Sequence, residues 1–175
     1  MVERNLIVGN REGFNFREQA RTTRTIANKQ ETAVWNHDEL VEHNVIAFNR
    51  DAQIRGWFDM KDNRHWPATN GPTSAMGASS LTLKDLRLRF IENVYFAAPG
   101  QGWFEWGPGW ARHKSYPDLG SFQTELAVDA RSRVVDPGFS DLLARDFRLN
   151  RQAMDRIQPS YPRSPVPGVL LGLLP

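Results

Sequence analysis

A chain of 175 residues and 20.0 kDa suits one domain, and its 40% hydrophobic residues are enough for a core without implying a membrane span. The longest apolar run, residues 169–174, falls well short of the roughly 20 residues a transmembrane helix needs. A net charge of +2 from 22 basic and 20 acidic residues offers nucleic acid no basic block, and the absence of cysteine removes disulfides, thiolate nucleophiles and thiolate metal ligands.

No basic segment followed by an apolar stretch opens the chain, so a secretory signal is not expected there. Three segments then overlay: Asn5-Leu6-Ile7-Val8-Gly9-Asn10, Asn44-Val45-Ile46-Ala47-Phe48-Asn49 and Asn93-Val94-Tyr95-Phe96-Ala97-Ala98. Each predicts a short strand opened by asparagine, and Ala98 replaces the second asparagine in the third. The spacings, 39 and then 49 residues, fit successive coils with loops of unequal length. In a parallel stack with strands about 4.8 Å apart, Ile7, Ile46 and Tyr95 share one phase and point inward. Asparagine suits the bends because it tolerates left-handed backbone angles and bonds neighbouring backbone groups, a structural role rather than a catalytic one.

Glycine-containing aromatic stretches follow each segment: Gly13-Phe14-Asn15-Phe16, Gly56-Trp57-Phe58 and Gly102-Trp103-Phe104-Glu105-Trp106. They predict the next strand of each coil. Residues 67–80, with Gly71, Pro72 and Gly77, predict a loop, and the alternation of Leu81, Leu83, Leu86, Leu88 and Phe90, broken at Lys84-Asp85, fits two short strands or a turn of helix and favours strand. A helix is predicted over 117–128 from Leu119, Phe122 and Leu126, with Ser115 and Asp118 as a capping box. Pro159, Pro162, Pro165 and Pro167 bar regular structure beyond it, giving a domain over 1–158 and a Pro-rich tail over 159–175.

Val135-Asp136-Pro137-Gly138-Phe139 followed by Asp146-Phe147-Arg148-Leu149, after that helix and the asparagine-led strands, resembles the closing signature of bacterial right-handed parallel β-helix proteins of the pectate-lyase-like group. The resemblance covers residues 3–149 and loosens at Gln152-Ala153-Met154-Asp155. It implies an all-β fold, a right-handed parallel β-helix with irregular loops, one short helix near 117–128 and an extended tail. It also implies N-terminal truncation and an extracellular or periplasmic setting. An open first coil would leave strand edges unpaired, so self-association, or a cover from residues 17–40, is expected.

Proteins of that group include lyases, hydrolases, epimerases and modules without catalysis, so fold alone assigns no function. Aromatic density points to polysaccharide or oligosaccharide as the partner, because flat rings stack on sugar faces while charged neighbours bond hydroxyls. Trp57 and Trp103, inside predicted strands, read as core. Trp66, Trp106 and Trp110 are the candidate sugar platforms, with His65, Arg112, His113 and Lys114 as polar contacts. Glu105, Asp59 and Asp62 are the catalytic candidates, since glycosidic hydrolysis uses two carboxylates, about 5–5.5 Å apart for retention or about 6.5–9.5 Å for inversion. Glu105, flanked by rings, is the expected acid and Asp59 the base or nucleophile. Elimination would instead draw its base from Arg112, His113 or Lys114.

Asp59, Asp62 and His65 offer metal-ligand types, but at a spacing common by chance, so neither metal nor cofactor is expected. Two readings result. One is a carbohydrate-active glycosidase or lyase, or a fragment of one. The other is a non-catalytic carbohydrate-binding or structural module. Neither has a nucleic acid or membrane partner.

Overall fold

Apolar runs of only three residues, bounded by bends, make strands too short to stand alone, so their partners must come from distant parts of the chain. A computed structural model, which describes residues 1–18, 21–24, 31–34, 37–58, 87–107, 114–149 and 151–160, places those partners. In chain order come β1 (Val2–Glu3), β2 (Leu6–Val8) and β3 (Glu12–Glu18), then a ladder of β4 (Arg21–Arg24) with β5 (Glu31–Val34). A second trio follows, β6 (Leu40–Glu42), β7 (Val45–Ala47) and β8 (Ala52–Phe58), and a third, β9 (Arg89–Ile91), β10 (Val94–Phe96) and β11 (Phe104–Gly107). Corresponding members of the trios pair in parallel, forming sheets ordered β1-β6-β9, β2-β7-β10 and β3-β8-β11.

Four later strands follow, and three of them break this pattern. β12 (Lys114–Tyr116) joins β11 antiparallel, β13 (Arg133–Val134) joins β10 in parallel, and β14 (Phe139–Asp141) pairs antiparallel with β15 (Asp146–Leu149). Two helices, α1 (Leu119–Leu126) and α2 (Arg151–Ile157), accompany them among the described residues. The expected all-β right-handed parallel β-helix is therefore corrected to a mixed architecture of parallel sheets, one mixed sheet, short antiparallel ladders and helices. Connection length is the reason. A parallel neighbour needs a crossover of about a dozen residues or more, whereas β12 and β15 each follow the preceding strand too closely for one.

The helix expected over 117–128 is shorter and differently capped. Asp118 is the N-cap, its carboxylate accepting from the Ser121 N–H at 2.7 Å, while Ser115 lies in β12 and takes no part in a capping box. Ala127 ends α1 in the left-handed region at φ 54°, its N–H donating to the Gln123 carbonyl. α2 replaces the loose closing turn expected at 152–155, and a 3-10 turn (Gln158–Ser160) carries it past Pro159. Ala153 and Ile157, one helical turn apart, are buried with Val45, Ala47, Val94 and Leu149. The stretch over 67–80 and the tail over 161–175 lie outside the described residues. Of the strand expected across residues 81–90, residues 87–90 are described: Arg87 and Leu88 precede the strand, which begins as β9 at Arg89.

The repeated asparagines hold the parallel sheets in register. Asn44 Oδ1 accepts from the Asn5 N–H at 2.9 Å and the Asn5 amide at 3.1 Å, and Asn93 Oδ1 accepts from the Asn44 N–H and amide, both at 3.0 Å. Ser132 Oγ ends the row by accepting from the Asn93 N–H at 2.8 Å. Returning amides bond Val2 and Val41 carbonyls, so Asn44 and Asn93 are fully buried with backbone as well as side-chain partners. The left-handed backbone belongs not to these asparagines but to the residue before each: Arg4 (φ 54°), His43 (φ 54°) and Glu92 (φ 52°).

That register puts Ile7, Ile46 and Tyr95 side by side on the second sheet, and Phe14, Ile54 and Phe104 on the third. Gly56 falls between Phe16 and Trp106, whose rings lie nearly parallel with centroids 6.3 Å apart. A Cβ at Gly56 would sit 2.1 Å from the Trp106 ring. Phe122 of α1 closes the core, its ring stacked on Phe104 at 4.7 Å.

Two outcomes follow. Gly56→Ala is expected to destabilise the fold by about 2 kcal/mol or more in denaturant titration, because the Trp106 ring has no room to yield. Asp129, buried beside Ser132 and Tyr95, is pushed up to about 7 by burial against the opposing pull of Ser132, Tyr95 and Asn93. Its folded form therefore keeps a proton that an unfolded carboxyl releases near about pH 4, so stability falls as pH rises from about 4 to about 7 and levels above that. Asp129→Asn is expected to flatten that slope, measured as melting temperature against pH.

Candidate functional site

Alternation along β11 decides which side chains can meet a ligand. Phe104 and Trp106 turn into the core, where Trp106 is 0% exposed, and Glu105 between them turns outward. Register then lines up Asn15, Arg55, Glu105 and Ser115 across the outer face of the third sheet. Arg55 bonds carboxylates on both flanking strands: its Nε donates to Glu105 Oε2 at 2.6 Å and its Nη1 to Glu12. Burial pushes the Glu12 carboxyl up, but hydrogen bonds from Asn15 and Arg55 and the charges of Arg55 and Arg17 outweigh it and hold the group below its ordinary value.

Beside this row lies a cleft of about 290 Å³, lined by Asp51, Gln101, Trp103, Glu105, Ser115 and Tyr116 among others. Trp103 forms its apolar wall, half-buried and near-parallel to Phe104 with centroids 6.1 Å apart. Gln101 is held in place, its amide donating to the Phe48 carbonyl at 3.1 Å and its oxygen accepting from the Ala98 N–H at 2.9 Å. Asp51 accepts from Arg50 Nε at 2.8 Å and Arg11 Nε at 2.6 Å, and these two guanidinium groups push it down to about 2. The cleft thus joins an indole to carboxylate acceptors that are paired with arginines.

Of the residues singled out from sequence, Glu105 lines this cleft. Trp106 is on the opposite side of the same strand, within the core, and cannot serve as a sugar platform there. Lys114, in β12, pairs with Glu125 of α1 and lies 5.2 Å from the Tyr116 ring centroid. Asp59, Asp62, His65, Trp66, Trp110, Arg112 and His113 lie outside the described residues. Glu105 is bonded to a guanidinium rather than enclosed by rings, because its neighbours Phe104 and Trp106 both point the other way. Trp103, Asp51, Ser115 and Tyr116 join it in the cleft, and no local sequence pattern marks them as site residues. The period-two alternation of 104–106 is the signal that separates Glu105 from Trp106.

Among the described residues, one group can supply three metal-ligand atoms: Glu3, Glu42 and His43, on the first sheet and the bend that follows it.

Replacing Arg55 with Met is expected to cost about 2 kcal/mol at pH 7, by removing the guanidinium that two half-buried carboxylates share. Because Glu12 is held low in the fold, its share of stability is present above about pH 4 and fades as pH falls through its lowered value. The wild type should therefore lose more stability than Arg55→Met on acidification, as read from urea midpoints at pH 7 and pH 3.

No protein-family model, no curated protein and no solved structure matches the chain, so together with the mixed sheets and helices the comparisons leave the resemblance to pectate-lyase-like β-helix proteins without support, and it is not upheld.

Proposed function

We propose that the chain is a non-catalytic carbohydrate-binding module that holds a neutral oligosaccharide in the cleft beside Trp103. The observation that carries this reading is the convergence of the Trp103 ring with Asp51, Glu105 and Ser115 on one concave surface. A sugar ring presents an apolar face, which an indole covers, and a rim of hydroxyl donors, which carboxylates accept. Acidic sugars fit less well, because a uronate would meet the carboxylates of Asp51 and Glu105. Binding is preferred over hydrolysis because both carboxylates are already committed to arginines: Glu105 to Arg55, and Asp51 to Arg11 and Arg50.

Calorimetric titration with a panel of neutral and uronic-acid oligosaccharides tests the reading. A neutral member is expected to bind, and Trp103→Ala to weaken it at least about tenfold, equivalent to about 1.4 kcal/mol. Preference for uronates, or affinity indifferent to Trp103→Ala, would count against the cleft. Release of reducing ends on incubation would return the glycosidase reading to the front.

A further inference from the structure

Glu3 and Glu42 are directly paired on adjacent parallel strands, which brings two like charges together at one strand spacing on the first sheet. Both are half-buried, as is His43 in the bend that follows β6. One donor atom from each of the three lies within 4.8 Å of the others, and His43 Nδ1 is 3.8 Å from Glu42 Oε2. That last separation is too long for a hydrogen bond but close to the spacing of two atoms on one ion.

The imidazole is oriented from behind. His43 Nε2 meets Glu92 Oε2 at 2.8 Å, and the other Glu92 oxygen is 3.3 Å from Arg131. A carboxylate on the far ring nitrogen fixes the tautomer that directs Nδ1 towards Glu42, which is the usual arrangement behind a metal-bound histidine. Among the described residues, Arg4 lies 3.1 Å from one Glu3 oxygen and Arg131 is paired with Glu92.

We propose that Glu3, Glu42 and His43 bind a divalent transition-metal ion of the zinc type, with Glu92 as the positioning residue behind the imidazole. Two carboxylates and one imidazole are a donor set for a borderline ion such as Zn²⁺, with bonds of about 2.0–2.2 Å, and donors at tetrahedral angles would then sit about 3.3–3.5 Å apart. The flexible glutamate side chains close the remaining gap. The ion would replace the repulsion between Glu3 and Glu42 with a shared cation, tying β1 to β6. A site of three protein ligands keeps a further position for water.

Titration of the untagged 175-residue chain with Zn²⁺, and separately with Ca²⁺, tests this by calorimetry with thermal melting in parallel. One equivalent of Zn²⁺ is expected to bind and raise the melting temperature, with Ca²⁺ at least tenfold weaker because a nitrogen donor disfavours it. His43→Asn should reduce Zn²⁺ affinity by at least about thirtyfold, and Glu92→Gln, which leaves all three ligands in place, by about 10–100-fold. His37→Asn, in a separate exposed cluster with Asp38 and Arg87, should leave it unchanged. Absence of stoichiometric Zn²⁺ binding would overturn the proposal. So would binding that survives in a folded His43→Asn. Should His43→Asn not fold, Zn²⁺ affinity unaltered in Glu92→Gln would do the same.

Discussion

Hydrogen bonding between equivalent asparagines fixes which short strands stack and in what register. Strands of two or three residues carry too few ladder bonds to fix their own register, and a slip of one residue would turn every inward side chain outward. Asn5, Asn44 and Asn93 remove that freedom, because the side chains of Asn44 and Asn93 each take the N–H of the equivalent asparagine in the trio before, Asn5 supplying the first. The bends they secure are costly. Non-glycine residues in left-handed backbone, here Arg4, His43 and Glu92, each cost on the order of 1–3 kcal/mol; at Arg4 and His43 they persist because buried Asn44 and Asn93 bond the backbone on both sides, and after Glu92 Ser132 takes the Asn93 N–H.

A second row works at the next bend with different chemistry. Asn49 Oδ1 accepts from the Asn10 N–H at 3.0 Å, while Gln53 Oε1 accepts from the Asn49 N–H and amide. In the third trio Ala98 stands where the asparagine would be, and Gln101 supplies the acceptor for its N–H. The loss of the asparagine in sequence is thus not a loss of the interaction. Gln101 also lines the cleft, so the residue that completes this bend positions one wall of the proposed sugar site.

Core and surface are coupled through the third sheet. Gly56 leaves space for Trp106 to lie over Phe16, which sets the phase of β11 and so turns Glu105 outward to Arg55. Arg55 in turn ties three strands together through Glu12 and Glu105. The same logic of register produces the Glu3–Glu42 pair on the first sheet, but with a histidine beside it in place of an intervening arginine strand. One charged row is neutralised from within, and the other is the row proposed to take up an ion.

Local spacing specifies the short asparagine-led strands, the shared phase of Ile7, Ile46 and Tyr95, and the helix around Leu119, Phe122 and Leu126, because backbone geometry must honour it. It did not determine the architecture. Whether a strand pairs parallel or antiparallel depends on how soon the chain turns back, which made β12 and β15 antiparallel and removed the all-β coil implied by resemblance. Nor did it determine the site. Trp106 and Glu105 are adjacent in sequence, yet opposite in fate, since pairing with β8 puts one over Gly56 and the other against Arg55. Only tertiary structure could bring Asp51, Trp103 and Ser115 to one cleft, because the contacts that converge there come from strands and turns that no local period connects.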